Sequence, residues 1–314
     1  MLSRVADSIY WMSRYVERAE NLARFVDVTH TMSLDMPPGS TGQWGALVYA
    51  SGDHEYFEEH YGEPDRDKVV RFLTLDPDYS GSILSCVTAA RENARSVREV
   101  ISSEMWEQLN QFYIYVRDTA KSGRIQSLNE FFQYVKNASH LFVGITMTTF
   151  SQGDGWHFAR LGRVLERADK TSRILDVKYF TLLPSAHDVG TPIDDLQWSA
   201  VLRSVSGFEM YRKRHHGVTP QRVAGFLVLD RQFPRAIMHC ITVADRSLHA
   251  ISGSPEGTFW NVADKRLGQL RSELAYATVE EIIERGLHEF LDSLQTKINQ
   301  VGDGIYQSFI STEV

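Results

Sequence analysis

The sequence predicts an all-α protein, an internally duplicated helical bundle whose halves are related by a pseudo-two-fold axis. Three observations lead there. Apolar residues recur at helical spacing along most of the chain, no sustained Val/Ile/Thr alternation marks a sheet, and one charged helical motif occurs twice. It reads "RYVERAENLARFVDV" from Arg14 to Val28 and "RVLERADKTSRILDV" from Arg163 to Val177. At an offset of 149, Arg14, Glu17, Arg18, Ala19, Arg24, Asp27 and Val28 recur as Arg163, Glu166, Arg167, Ala168, Arg173, Asp176 and Val177, and Glu20 recurs as Asp169. A second register follows at an offset of 154. It pairs Trp44 with Trp198, Phe72-Leu73 with Phe226-Leu227, Leu75-Asp76 with Leu229-Asp230, Ile83 with Ile237 and Cys86 with Cys240. The five-residue slip falls in the connectors "DMPPGSTGQ" and "LPSAHDVGTPIDD". One domain over 1–314 is therefore expected, made of homologous halves 1–150 and 151–314.

The elements follow in order. In the first helix, at about 100° per residue, Val5, Met12, Val16, Ala19, Ala23 and Val26 share an apolar arc that Trp11, Tyr15 and Leu22 widen. Opposite runs a narrow stripe of Arg14, Glu17, Asn21 and Arg24, matched in the second copy by Arg163, Glu166, Lys170 and Arg173. "FLTLD" and "FLVLD" each precede a new helix, which gives Asp76 and Asp230 a helix-capping role. From Gly81 to Ala120 a long helical stretch bends near Ser102-Ser103. Its counterpart "PRAIMHCITVADRSLHAI" opens with Pro234 at a favoured first-turn position. The run Leu141 to Phe150 reads as a buried helix, and the C-terminal helix extends from about Thr278 to Phe309.

Composition narrows the function classes. With 33 basic and 40 acidic residues among 314, the net charge of -7 argues against general affinity for nucleic acid or anionic lipid. Two cysteines in a chain able to bury a sizeable core fit a reducing compartment. The N-terminus lacks the order of a signal peptide, and charges interrupt every apolar run before it could span a membrane. A cytoplasmic protein is expected.

No nucleotide-binding glycine loop, nucleophile elbow or paired Cys/His signature is present. No histidine follows a glutamate by three residues, as a ferritin-like di-metal bundle requires; Asp27-x-x-His30 and Asp154-x-x-His157 are the nearest spacings. Neither cysteine has a zinc-site neighbour, and both sit on apolar faces as core thiols. No metal site is expected. Arg212 to Arg214 beside His215-His216 form a local basic turn.

The two charged stripes admit three readings. Acids and arginines at i,i+3 and i,i+4 spacing stabilise their own helix by about 0.2–0.5 kcal/mol per pair. A buried ion-pair network could fix the halves relative to each other. Alternatively both stripes face one polar cleft, where Arg14, Arg24, Arg163 and Arg173 present guanidinium forks to a carboxylate or phosphate, with Glu20 and Asp169 holding them or receiving an amine. Glu17 or Glu166 is then the candidate base for that amine. "ARENARSVR" adds Arg91, Glu92 and Arg95 in the first half only, which favours one asymmetric site.

Together "MLSRVADSIYWMSRYVERAENLARFVDV", "FLTLDPDYSGSILSCVTAARENARSVREVIS", the second "ERAD" helix and "FLVLDRQFPRAIMHC" resemble the bacterial alpha-E family, along essentially the whole chain. The resemblance implies a duplicated helical unit that accompanies a circularly permuted ATP-grasp amide ligase, often with a transglutaminase-like peptidase and sometimes a proteasome-like one. ATP and Mg would belong to the ligase, and this chain would carry no cofactor. It would bind or position an amino-acid or peptide substrate in the Arg/Glu cleft, or serve as a scaffold that docks the ligase or a peptidase.

Overall fold

The computed structural model describes residues 1–35, 42–180 and 192–311. Among them every regular element is helical: α1 (Ser3–Asp35), α2 (Gly42–Ser51), α3 (His54–Tyr61), α4 (Arg66–Thr74), α5 (Ile83–Ser96), α6 (Ser103–Lys121), α7 (Leu128–Thr149), α8 (Asp154–Phe180), α9 (Pro192–Ser204), α10 (Phe208–Arg212), α11 (Pro220–Leu229), α12 (Ile237–Ser252), α13 (Val262–Tyr276), α14 (Val279–Arg285) and α15 (Leu287–Ile305), closed by a π-helical turn at Tyr306–Ile310. The connectors "DMPPGSTGQ" and "LPSAHDVGTPIDD" lie largely outside the described residues.

The charged helices are the two central ones. α1 and α8 pack against each other along their length, and each is flanked by a matching set: α1 by α5 and α7, α8 by α12 and α15. α5 packs on α6 as α12 packs on α13. The predicted apolar arc of α1 is buried throughout, and so are Glu17, Glu20 and Asn21 on its polar stripe. A helix covered on all sides needs internal partners for its charges. Close approach of α1 and α8 depends on Gly162, where a Cβ would lie 2.4 Å from the Tyr10 carbonyl oxygen.

Positions paired by the 154-residue offset are buried alike: Trp44 and Trp198, Phe72 and Phe226, Leu73 and Leu227, Ile83 and Ile237, Cys86 and Cys240. Several local expectations need correction. Asp76 and Asp230 accept backbone N–H groups of the turns after them, from Asp78 and from Gln232 and Phe233. The N-cap of α5 is Ser82. Between α5 and α6 the chain breaks instead of bending, because Ser102 caps a fresh helix by accepting from the Met105 N–H. Pro234 precedes α12, whose N-cap is Ala236. The C-terminal helix is interrupted at Gly286, whose φ of 98° ends α14. In the Leu141–Phe150 run, Phe142 and Thr146 face inward, whereas Leu141 and Met147 are exposed.

Candidate functional site

The stripes of α1 and α8 meet, and their charges pair across the contact in reciprocal fashion. Arg18 donates to Glu166 through Nε (2.6 Å) and Nη2 (3.0 Å). Arg167 donates to Glu17 through Nε (2.7 Å) and Nη2 (2.8 Å). Both are bidentate forks on buried carboxylates, the strong geometry for such pairs. Sequence reasoning noted Arg18 and Arg167 as repeated but left them out of the site, because they lie about 100° from the glutamates on a helical wheel. It is the crossing of two helices that turns each arginine toward the opposite glutamate.

Beyond these forks the two flanks differ. Around Glu166, Arg14 adds an Nε bond of 2.8 Å, and Lys170 lies 3.8 Å away. Lys170 and Arg173 both pair with Asp169, at 3.2 and 3.0 Å, while Asp169 Oδ1 is buried without a hydrogen-bond partner. Around Glu17 the third donor is Arg235, from the turn before α12. It reaches Glu17 at 3.3 Å, Asn21 at 3.0 Å and Glu20 at 2.8 Å. Arg24 pairs with Glu20 on its own helix, and His140 of α7 lies 3.4 Å from Glu20. No periodic signal in the sequence pointed to Arg235.

These partners set the protonation states. Burial raises the carboxyl pKa of Glu17, but Arg167 and Arg235 outweigh it and hold it below the ordinary 4.5. Burial likewise opposes ionisation of Glu20, Glu166 and Asp169, yet Arg235 at the first, Arg18 and Arg14 at the second, and Lys170 and Arg173 at the third keep each one low. Glu166 is fully buried, both its oxygens are occupied, and a carboxylate so held is a poor proton acceptor. The geometry gives Glu17 and Glu166 the work of anchoring arginines.

Arg163, the counterpart of Arg14, stands apart. Its Nε is buried and has no hydrogen-bond partner, and among the described residues no carboxylate lies within ion-pairing distance of it. Burial, and then the neighbouring Arg167, push the guanidinium down to about 10. Arg160, Arg163, Arg167 and Arg235 line a pocket of about 120 Å³ between α1, α7 and α8, with Glu17, Glu20 and His140 beside them. Phe142, Val143, Met147, Trp156 and Ala159 supply apolar wall. Taking both flanks together, Arg14, Arg18, Arg24, Arg163, Arg167, Lys170, Arg173 and Arg235 set eight cations against the four carboxylates Glu17, Glu20, Glu166 and Asp169. In a chain of net charge -7, that local excess is suited to an anion.

The remaining sequence candidates lie elsewhere. Arg91, Glu92 and Arg95 bond to one another on α5, and Arg91 reaches Asn110 of α6 at 2.8 Å. Arg91 also covers Trp106 and Tyr113 of that helix. None of the three lines the α1/α7/α8 pocket. Among the described residues no three His, Cys, Asp or Glu side chains are grouped to hold a metal ion, and no helix is long and apolar enough to cross a membrane.

The family model Alpha-E, a predicted alpha-helical domain with a conserved ER motif, matches residues 1–310. Glu17-Arg18 and Glu166-Arg167, the pairs that interlock at the centre, both read ER. One uncharacterized protein of Mycobacterium bovis and two of Mycobacterium tuberculosis are each 24% identical over 325 aligned positions, covering 97% of this chain and 35% of their own length. The chain thus spans about a third of the curated relatives it matches. No solved structure matches it significantly.

Proposed function

The chain belongs to the Alpha-E family, and we propose that it is the substrate-holding helical component of an ATP-grasp-associated system that forms peptide or amide bonds. One observation carries this reading. A partly buried guanidinium without an anion, Arg163, its Nε fully covered, stands beside Arg167 and Arg235 at the wall of a pocket. Burying an unpaired cation is unfavourable, and a carboxylate or phosphate bound there would remove the penalty while gaining charge-assisted hydrogen bonds. The ligase partner, a circularly permuted ATP-grasp enzyme with ATP and Mg, would activate a carboxylate. A chain that holds an amino acid or peptide by its anionic group complements that chemistry. A transglutaminase-like or proteasome-like peptidase would act in the same system. Relatives in which the matching stretch is about a third of the chain fit a unit that works beside other activities.

Two homologous halves are part of the same proposal. The reciprocal Arg18–Glu166 and Arg167–Glu17 forks and the matched packing of α5 on α6 and α12 on α13 support it. Those forks also favour a second reading, a scaffold or adaptor that docks the ligase or a peptidase and uses the charges as architecture. The test is ATP consumption and product mass with the purified ligase and pooled amino acids or peptides, with and without this protein. The substrate-holding reading expects an amide product that requires the protein and is lost with Arg163→Gln. A product made at the same rate with Arg163→Gln as with the native chain would leave the scaffold reading.

A further inference from the structure

The pocket is divided by chemistry, and the division restricts what can enter. At its deep end lies the partnerless edge of Arg163, with Arg235 only 9% exposed. Toward solvent the wall carries the apolar Met147, which is 52% exposed, beside the exposed imidazole of His140. Both carboxylates of the wall are already engaged. Glu17 accepts from Arg167, Arg235 and Asn21, and Glu20 accepts from Arg24 and Arg235.

We propose that this pocket takes the C-terminal carboxylate of a peptide ending in a hydrophobic residue, and discriminates against the free, zwitterionic amino acid. The proposal rests on the reading of the pocket as an anion site and names the ligand class. Arg163, with Arg160 also in the lining and likewise without an acid partner among the described residues, offers the donors that the two oxygens of a carboxylate need. A phosphate dianion would set its second charge close to Glu17 and Glu20, both ionised. The apolar wall of Phe142, Val143 and Met147 gives the terminal side chain a place to be buried. An α-ammonium has no such place. It would sit among Arg163, Arg167 and Arg235 without a free carboxylate to pair with, and like charges held close in a poorly solvated site repel. An acylated nitrogen, as in a peptide bond, is neutral and escapes that repulsion.

The test is calorimetric titration of the full chain near pH 7.5 with N-acetyl-leucine, N-acetyl-leucinamide, leucine and inorganic phosphate. N-acetyl-leucine binds, and both the amide and leucine bind at least about tenfold more weakly, since each loses or opposes a charged contact. Arg163→Gln weakens N-acetyl-leucine by a similar factor. So does Met147→Glu, an exposed change that spares the core and keeps the test valid if the arginine variant folds poorly. Leucine binding as tightly as N-acetyl-leucine would overturn the discrimination, and an unaltered affinity in Met147→Glu would overturn the apolar subsite. Phosphate binding that depends on Arg163, with no binding of N-acetyl-leucine, would overturn the peptide-terminus proposal and leave the anion site standing. Absence of binding by every probe would remove both.

Discussion

Arg14 and Arg163 occupy equivalent places in the two charged motifs, yet replacing them by alanine is expected to change stability in opposite directions. Arg14 donates its Nε to fully buried Glu166 at 2.8 Å. Glu166 keeps the two bonds from Arg18 when Arg14 is removed. The loss is therefore that of one charged hydrogen bond, about 1.5–3 kcal/mol, and not the 3–5 kcal/mol or so of stripping a buried ion of every partner. Arg163 has no such bond. Its guanidinium is pushed down from the ordinary arginine value to about 10, and at 1.36 kcal/mol per pKa unit that depression corresponds to roughly 3 kcal/mol spent on keeping it charged in place. Alanine removes that penalty and forfeits the packing of the side-chain stem, about 1–2 kcal/mol. The net change for Arg163→Ala is about 1–2 kcal/mol of added stability. Urea unfolding followed by circular dichroism at pH 7 separates the cases. For a slope near 3 kcal/mol/M, a loss of about 2 kcal/mol lowers the Arg14→Ala midpoint by about 0.7 M, while the Arg163→Ala midpoint rises. A fall in Arg163→Ala as large as that in Arg14→Ala would show that Arg163 is tied into the ion-pair network.

Three further outcomes follow from the same geometry. Glu17, Glu20, Glu166 and Asp169 have folded pKa values below their ordinary 4.5 or 3.8, so in acid the unfolded chain binds more protons. Their stabilisation is complete above about pH 5 and drains as pH falls through the folded values; urea midpoints measured from pH 7 to 3 decline most steeply below pH 5, and a flat profile there would contradict the charge pairing. Burial pushes the Cys86 thiol up to about 11 and the Cys240 thiol up to about 12, so a thiol reagent at pH 8 labels neither in the native chain and both after unfolding; fast native labelling would contradict their packing. Finally, Arg235→Ala leaves Glu17 within the field of Arg163, which can move to it. The double variant Arg163→Ala/Arg235→Ala is therefore expected to lose at least about 0.5 kcal/mol more than the two single changes combined, and strict additivity would show that Arg163 offers Glu17 no replacement partner.

Much of this was legible because two copies of one helix carried it. Repetition singled out Glu17 and Glu166, Arg14 and Arg163, and the helical wheel buried the apolar arc correctly. The wheel failed where contacts come from another helix. Arg18 and Arg167 stand at the edge of the stripe, about 40° from Arg14 and Arg163 and about 100° from Glu17 and Glu166, yet make the central forks, since crossing geometry depends on Gly162 and Tyr10 meeting and is not written in either helix alone. Arg235 was illegible for a related reason. It lies in a three-residue turn between Phe233 and α12, where no periodicity exists to read, and its partners are more than 200 positions away. Charge density misled at Arg91, Glu92 and Arg95. Those residues bond to one another and Arg91 covers Trp106 of α6, a local use that a sequence pattern cannot distinguish from a ligand site. Helix breaks at Ser102 and Gly286 depend on a single capping hydroxyl and a single positive φ, which apolar spacing does not encode.

The asymmetry that opens the pocket traces to one residue. The 154-residue offset sets Arg235 against Gly81. Where glycine stands, no guanidinium enters, so Arg14 is free to reach Glu166, and Asp169 Oδ1 is left without a donor. Where arginine stands, it takes the third position on Glu17 and the second oxygen of Glu20, and Arg163 is displaced from the partner its counterpart keeps. The same substitution thus satisfies a buried acceptor on one flank and releases a buried donor beside it. A bundle with identical flanks would close both networks on themselves. One arginine in an interhelical turn thus accompanies the unpaired Nε of Arg163, and the shorter Asp169 leaves the other flank with an acceptor that no donor reaches.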